Sequence, residues 1–164
     1  MSVPKTVEEN PGWVSQIQGL DIEFYDAAGE LDNIEGIDLP YADEVDYVSM
    51  DDIEYVNENT VGTSGIFHCV GVVVPGDSGY LAHVSPGDIG KTAEELLGET
   101  EEDVESVTYA LGNSPDLGLL EDVRNNFHGD ERAVYTGNNG SIAVDADGDF
   151  YRIKDKGNKS PLSF

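Results

Sequence analysis

Residues 68–74, HCVGVVV, form a nearly continuous apolar run in which β-branched side chains predominate. This composition is typical of a strand that is buried on both faces. Residues 75–79, PGDSG, are rich in turn-forming types, and the apolar pattern resumes in YLAHV at 80–84. The pattern therefore predicts a β-hairpin over residues 68–84, with the five residues PGDSG as its loop.

Other stretches carry the alternation of apolar and polar positions that is typical of half-buried strands. LDIEFY at 20–25 alternates in this way, and so do Ile53 and Tyr55 within DDIEY. SVTYAL at 106–111 favours a further strand. Residues 132–153 predict strands joined by tight turns at GNNG and DG.

Two segments carry helix signals. TAEELL at 92–97 has Thr and Glu at the spacing of a capping box and is followed by glycine. Residues 113–129 predict a longer helix, with Ser114 as its N-cap and Pro115 at its first position. Helical spacing places four large apolar residues of this segment on one side: Leu119, Leu120, Val123 and Phe127.

The net charge of the chain excludes some classes of binding partner. The chain has 164 residues, enough for one domain with a sizeable core, and 34 acidic residues against 8 basic ones give a net charge of −26. Such a surface disfavours nucleic acid and anionic membranes as partners. The acidic residues run from Glu8 to Asp155, a distribution that resembles proteins of salt-loving archaea. Single carboxylates are therefore best interpreted as solvated surface.

Neither an apolar segment after Met1 nor a run of about 20 apolar residues is present, so we expect no signal peptide and no membrane insertion. A single cysteine, Cys69, excludes an intramolecular disulfide. No Cys or His cluster supports a metal, and we expect no cofactor. These features predict a cytoplasmic protein.

The predicted hairpin brings candidate catalytic residues close to one another. Because neighbouring side chains of a strand point to opposite faces, His68 is expected to point away from Cys69. His83, on the returning strand, can lie beside Cys69, and Thr63 can reach His83 from the other side. A nucleophile, a base and an orienting hydroxyl form one interpretation of this set. A buried structural Cys–His pair is the other.

TSGIFHCVGVVV, the turn PGDSG and GYLAHV resemble the core of the CheD-type chemoreceptor glutamine deamidases, over roughly residues 46–153. The resemblance rests on Thr63, Gly65, the strand that opens at Cys69, and the small-residue strand that contains His83. Where that family has Gly-Ser before the cysteine, this chain has Phe67 and His68, which are expected to line or cover the cleft.

The resemblance implies that Cys69, His83 and Thr63 are catalytic. The Cys69 thiolate would attack a glutamine carboxamide, with His83 as base and Thr63 orienting the imidazole. The cytotoxic necrotizing factor toxins share this Cys–His arrangement. The implied substrate is a protein, such as a chemoreceptor. The alternative is an inactive module that binds a signalling protein like CheC.

Together these expectations predict an α+β fold in which two mixed β-sheets pack as a sandwich with flanking helices. They divide the chain into three parts. Residues 1–45 form a partly ordered acidic extension, residues 46–155 the deamidase-like domain, and residues 156–164 a polar tail.

Overall fold

The computed structural model describes residues 16–17, 19–20, 22–26, 45–56, 60–63, 65–74, 79–86, 106–112, 114–127, 129–136, 142–145, 150–153 and 159–161. The strands in these segments are β1 (Glu23–Asp26), β2 (Val45–Tyr47), β3 (Asp52–Tyr55), β4 (Thr60–Thr63), β5 (Val70–Val74), β6 (Tyr80–Val84), β7 (Ser106–Leu111), β8 (Asp130–Tyr135), β9 (Ile142–Val144), β10 (Phe150–Ile153) and β11 (Lys159–Pro161). The helix α1 spans Leu117–Arg124.

The predicted hairpin lies inside a six-stranded sheet of order β1-β8-β7-β5-β6-β3. Strands β5 and β6 pair antiparallel, with Val70 opposite Val84 and Val74 opposite Tyr80. Strand β7 pairs antiparallel with β5 and parallel with β8. Strand β1 adds to β8 in parallel, and β3 adds to β6 in antiparallel orientation. The prediction of the hairpin is confirmed.

The second sheet has five strands in the order β11-β10-β9-β4-β2. Strands β2 and β4 are parallel, whereas β4, β9, β10 and β11 pair antiparallel in turn. Both sheets are thus mixed, and with α1 they give the α+β architecture that the sequence predicts.

Side chains from both sheets meet in one apolar layer. Every residue of β5 is buried, but alternate positions face different clusters. Val73 joins the layer that the two sheets share, together with Val61 of β4 and Leu81 of β6. The other valines of β5 face the side of the sheet that α1 covers, where they pack in a cluster with three helix residues, Leu119, Leu120 and Val123. This arrangement explains why the run lacks polar alternation.

The helix is shorter than predicted and begins later. Asp116, not Ser114, is the N-cap, and its side chain accepts a hydrogen bond from the backbone N–H of Leu119. Arg124 is the last helical residue, with Asn125 as the C-cap. The prediction that Ser114 caps this helix is therefore wrong.

Both terminal segments contribute to the sheets. Strand β1, which the alternation of residues 20–25 predicted, lies in the N-terminal extension, and Ile17, Ile22 and Phe24 are buried in the core. Strand β11 lies in the segment assigned as a polar tail and pairs with β10. The predicted helix at 92–97 falls outside the described residues.

Candidate active site

A hydrogen bond between Thr63 and His83 connects the two sheets. Thr63 is the last residue of β4 in the five-stranded sheet, and His83 lies in β6 of the six-stranded sheet. Thr63 Oγ1 is 2.7 Å from His83 Nδ1, and both residues are buried, with exposed fractions of 0% and 3%. The predicted contact between the hydroxyl and the imidazole is present.

The partners of Thr63 determine the tautomer of His83. Thr63 Oγ1 also lies 2.8 Å from the backbone oxygen of Val48, which can only accept. Because a hydroxyl has one hydrogen and donates it here to Val48, it must accept from His83 Nδ1–H. A neutral imidazole protonated at Nδ1 carries its lone pair at Nε2.

That lone pair has no partner among the described residues: His83 Nε2 is buried and makes no hydrogen bond. Burial lowers the pKa of His83 below its ordinary value, and the negative charge of Asp51 opposes this shift more weakly. The ring is therefore neutral at neutral pH, and the Nε2 lone pair is not occupied by a proton.

Cys69 lies immediately before β5 and two residues from Gly71, the residue that pairs with His83. Cys69 is therefore the diagonal neighbour of His83 across the two strands. Diagonal neighbours on adjacent strands are roughly 7–8 Å apart, a separation that longer side chains can bridge. The exposed fraction of Cys69 is 7%. Burial raises the pKa of its thiol, and the charge of Asp51 raises it further. The resting pair therefore consists of a neutral thiol and a neutral imidazole, without a hydrogen bond between them.

The loop that presents Cys69 is held by the segment after β7. Gly65 opens the loop with a φ of 75°, a conformation that glycine adopts without strain. A Cβ atom on Gly112 would lie 1.6 Å from the backbone oxygen of Ile66, so only glycine fits at this crossing. Further along, the backbone N–H of Ser114 donates to the Phe67 oxygen.

Phe67 and His68, expected to line or cover the cleft, are exposed and directly precede Cys69. The exposed fraction of Phe67 is 46%. His68 donates from Nδ1 to the backbone oxygen of Ser114 at 2.7 Å, and this contact anchors its ring to the neighbouring segment. The two residues therefore form the outer surface of the loop.

Sequence reasoning did not single out Asp51, which acts electrostatically on both Cys69 and His83. Its backbone N–H donates to the His83 oxygen at 2.7 Å, and its φ is 62°, in the left-handed region that Asp tolerates better than most residues. One aspartate among 34 acidic residues gives no local signal, so the sequence offered no means of finding it.

A separate cleft of about 820 Å³ lies on the helix side of the six-stranded sheet, lined in part by Leu20, Phe127 and Arg124. Arg124 pairs there with Glu131 at 2.9 Å, and Glu131 also accepts from the buried Tyr109 hydroxyl at 2.8 Å. None of the three predicted site residues lines this cleft.

No model of a known protein family matches the chain, and no curated protein shows significant similarity to it. Within the described part of the chain, no helix combines the length and apolar character that crossing a bilayer requires. In the same segments, no three His, Cys, Asp or Glu side chains converge in a way that could hold a metal ion.

Proposed function

We propose that this protein is a cysteine-dependent amidohydrolase that deamidates glutamine side chains of proteins. The observation that carries the proposal is the geometry of His83. A buried hydrogen bond to Thr63 fixes its tautomer, and the opposite nitrogen keeps an unpartnered lone pair on the strand beside Cys69. A buried polar atom without a partner is unfavourable in a purely structural role, so it calls for a functional explanation.

The protonation states favour general-base catalysis over a preformed ion pair. His83 Nε2 takes the thiol proton as Cys69 Sγ attacks the carboxamide carbon and forms the S–C bond. The tetrahedral oxyanion would be stabilised by backbone N–H groups near Cys69, and one such donor is typically worth about 3 kcal/mol. The imidazolium then protonates the amide nitrogen, and the C–N bond breaks. Ammonia departs, and the acyl group remains bound to Cys69 Sγ as a thioester.

Hydrolysis of the thioester completes the cycle. His83 accepts a proton from water, the resulting hydroxide attacks the thioester carbon, and Cys69 leaves and regains its proton. The sum is glutamine plus water giving glutamate plus ammonia. Thr63 acts as a positioning residue, because its hydroxyl accepts from Nδ1–H in both protonation states of the ring.

The depth of the nucleophile supports an unbranched amide side chain as substrate. Because Cys69 is almost completely buried, a main-chain amide cannot approach it as easily as a carboxamide at the end of a flexible side chain. The resemblance of the Thr63–His83 region to the chemoreceptor deamidases suggests receptor glutamines in particular.

Peptide mass spectrometry of a chemoreceptor cytoplasmic domain, incubated with the full-length protein in about 1 M potassium chloride, tests the proposal. We expect glutamine-to-glutamate conversion by the wild type and by Asp122→Asn, a control at an exposed helix position. Cys69→Ala and His83→Gln should give none while keeping the wild-type circular dichroism spectrum. Conversion by folded Cys69→Ala would refute the mechanism.

A second candidate function is binding of a CheC-like signalling protein without catalysis. The observation that favours it is the resting thiol, whose pKa is raised by burial and which makes no hydrogen bond to His83 Nε2. Under this alternative the wild type converts no glutamine, and Cys69→Ala binds the partner as tightly as the wild type does.

A further inference from the structure

The carboxylate of Asp51 is fixed at the Cys69 end of the site. Its Oδ1 accepts from the backbone N–H of Ser85 at 3.1 Å and from the Ser85 hydroxyl at 2.6 Å. Ser85 is buried and follows β6, one position beyond the pair Val70–Val84. Extending the register by one residue would place Ser85 opposite Cys69, so the bonds to Ser85 hold the Asp51 carboxylate at the end of β6 that faces the Cys69 loop.

Only one of the two carboxylate oxygens has a structural role. Both contacts to Ser85 use Oδ1, and Oδ2 has no hydrogen-bond partner among the described residues. Asp51 is half-buried, where a charge is less well solvated than on the open surface. A Ser or Asn at this position would satisfy Ser85 without placing a negative charge near a thiol.

A second unpartnered polar atom belongs to the residue whose backbone Asp51 contacts. His83 Nε2 is buried and unpartnered, and its residue has an exposed fraction of only 3%. The backbone bond from Asp51 to the His83 oxygen holds the carboxylate next to that strand position. A free acceptor oxygen and a free imidazole nitrogen thus accompany one buried sulfur.

We propose that Asp51 is a specificity-determining residue that admits a neutral carboxamide to Cys69 and excludes a carboxylate. This inference rests on the proposed function and names the chemistry of its substrate. A carboxamide offers two N–H donors, of which one can reach Oδ2, while its carbonyl carbon faces sulfur. A carboxylate offers only acceptors and a negative charge, which Asp51 repels. The same repulsion weakens binding of the glutamate product and so favours its release.

Alkylation of Cys69 tests this without any need to know the protein substrate. Cys69 is the only cysteine, so the label reports on this site alone. Iodoacetamide and iodoacetate react with a thiol by the same displacement of iodide, but one carries a carboxamide and the other a carboxylate. The measured quantity is the ratio of their rate constants, in which any change of the thiol pKa cancels. The full-length protein is used in about 1 M potassium chloride, because salt screens distant charges more than half-buried ones.

We expect the wild type to prefer iodoacetamide, and Asp51→Asn to reduce the preference by about threefold or more. Asn tolerates the left-handed backbone and keeps an oxygen for Ser85. The matched control is Asp52→Asn, which removes the neighbouring exposed carboxylate and should leave the ratio unchanged. An unchanged ratio in folded Asp51→Asn, or an equal loss in Asp52→Asn, would overturn the inference.

The outcome is distinguishable from failure of the proposed function. A lower ratio in Asp51→Asn in a protein that deamidates no receptor would support the role of Asp51 and count against the enzyme. Deamidation by a protein whose ratio does not respond to Asp51→Asn would support the enzyme and refute this role.

Discussion

Thr63 Oγ1 lies 2.7 Å from His83 Nδ1, and this buried hydrogen bond is made between residues of two different sheets. It has a structural and a chemical consequence. It ties β4 to β6 through the apolar layer, and it leaves the imidazole lone pair at Nε2, the nitrogen remote from Thr63.

Thr63→Val should destabilise the fold, because the isosteric change leaves His83 Nδ1–H and the Val48 oxygen without their partner. Buried groups left in this state typically cost about 1–3 kcal/mol. Urea unfolding measures the loss. Thr63→Ser, which keeps the hydroxyl, is the matched control and should lose less than half as much. Equal stability of Thr63→Val and the wild type would contradict the assignment of this bond.

Gly112→Ala should displace the loop that carries Cys69, because the new Cβ would overlap the Ile66 backbone oxygen. The expected result is a strong loss of stability, visible as a lower urea midpoint, together with faster labelling of Cys69. Gly118→Ala is the control, since its Cβ meets only the Asp116 carboxylate, at 3.3 Å. That helical substitution should change stability by no more than about 1 kcal/mol. Wild-type stability of Gly112→Ala would contradict the close approach of Gly112 to the Ile66 backbone.

Lowering the pH should reduce the stability of the folded protein, because His83 is buried as a neutral imidazole. Its pKa is lower in the folded state than in the unfolded chain, so below about pH 6.5 the unfolded state binds the extra proton. The contribution of His83 to stability is therefore complete above this pH and is lost as the pH falls toward the folded-state value. The measurement is the free energy of unfolding of the wild type and His83→Gln between about pH 7.5 and 5.5. The wild type should lose more stability than His83→Gln as the pH falls. If the free energies of unfolding of the two proteins changed in parallel with pH, a buried neutral imidazole would be contradicted.

Glu131 should be important for the helix side of the fold. It pairs with Arg124 and accepts from Tyr109 Oη, whose ring is completely buried. Glu131→Ala removes the hydrogen-bond acceptor of both Tyr109 and Arg124. It should lower the free energy of unfolding by about 2 kcal/mol, measured by thermal or urea unfolding. Glu131→Gln keeps an acceptor for Tyr109 and should cost less. If both variants cost the same, the Tyr109 contact contributes nothing.

The sequence predicted the parts of the fold that depend on local pattern. The hairpin was predictable because a strand buried on both faces needs an uninterrupted apolar run, and 70–74 supplies one. The contact between Thr63 and His83 was also anticipated. Its tautomeric consequence was not, because the second partner of Thr63 is the backbone of Val48, which no pattern reveals.

Contacts between residues far apart in the chain account for the differences between the predicted and the observed structure. The backbone of Ser114 is bonded to the Cys69 loop, through its N–H to Phe67 and its oxygen to His68, and α1 begins only after Asp116, whose side chain caps it. Strand β11 was missed because its pairing depends on β10, not on its own polar composition. The position of Asp51 follows from its bond to Ser85, 34 residues away in the chain.

In the proposed mechanism, the Nε2 lone pair of His83 accepts the proton of the Cys69 thiol. The rate at which iodoacetamide alkylates the single cysteine, measured across neutral pH in the wild type and in His83→Gln, tests this most directly. Loss of the imidazole should slow alkylation by about tenfold or more while the fold is retained. Equal rates in the two folded proteins would contradict it and leave Cys69 as an ordinary buried thiol.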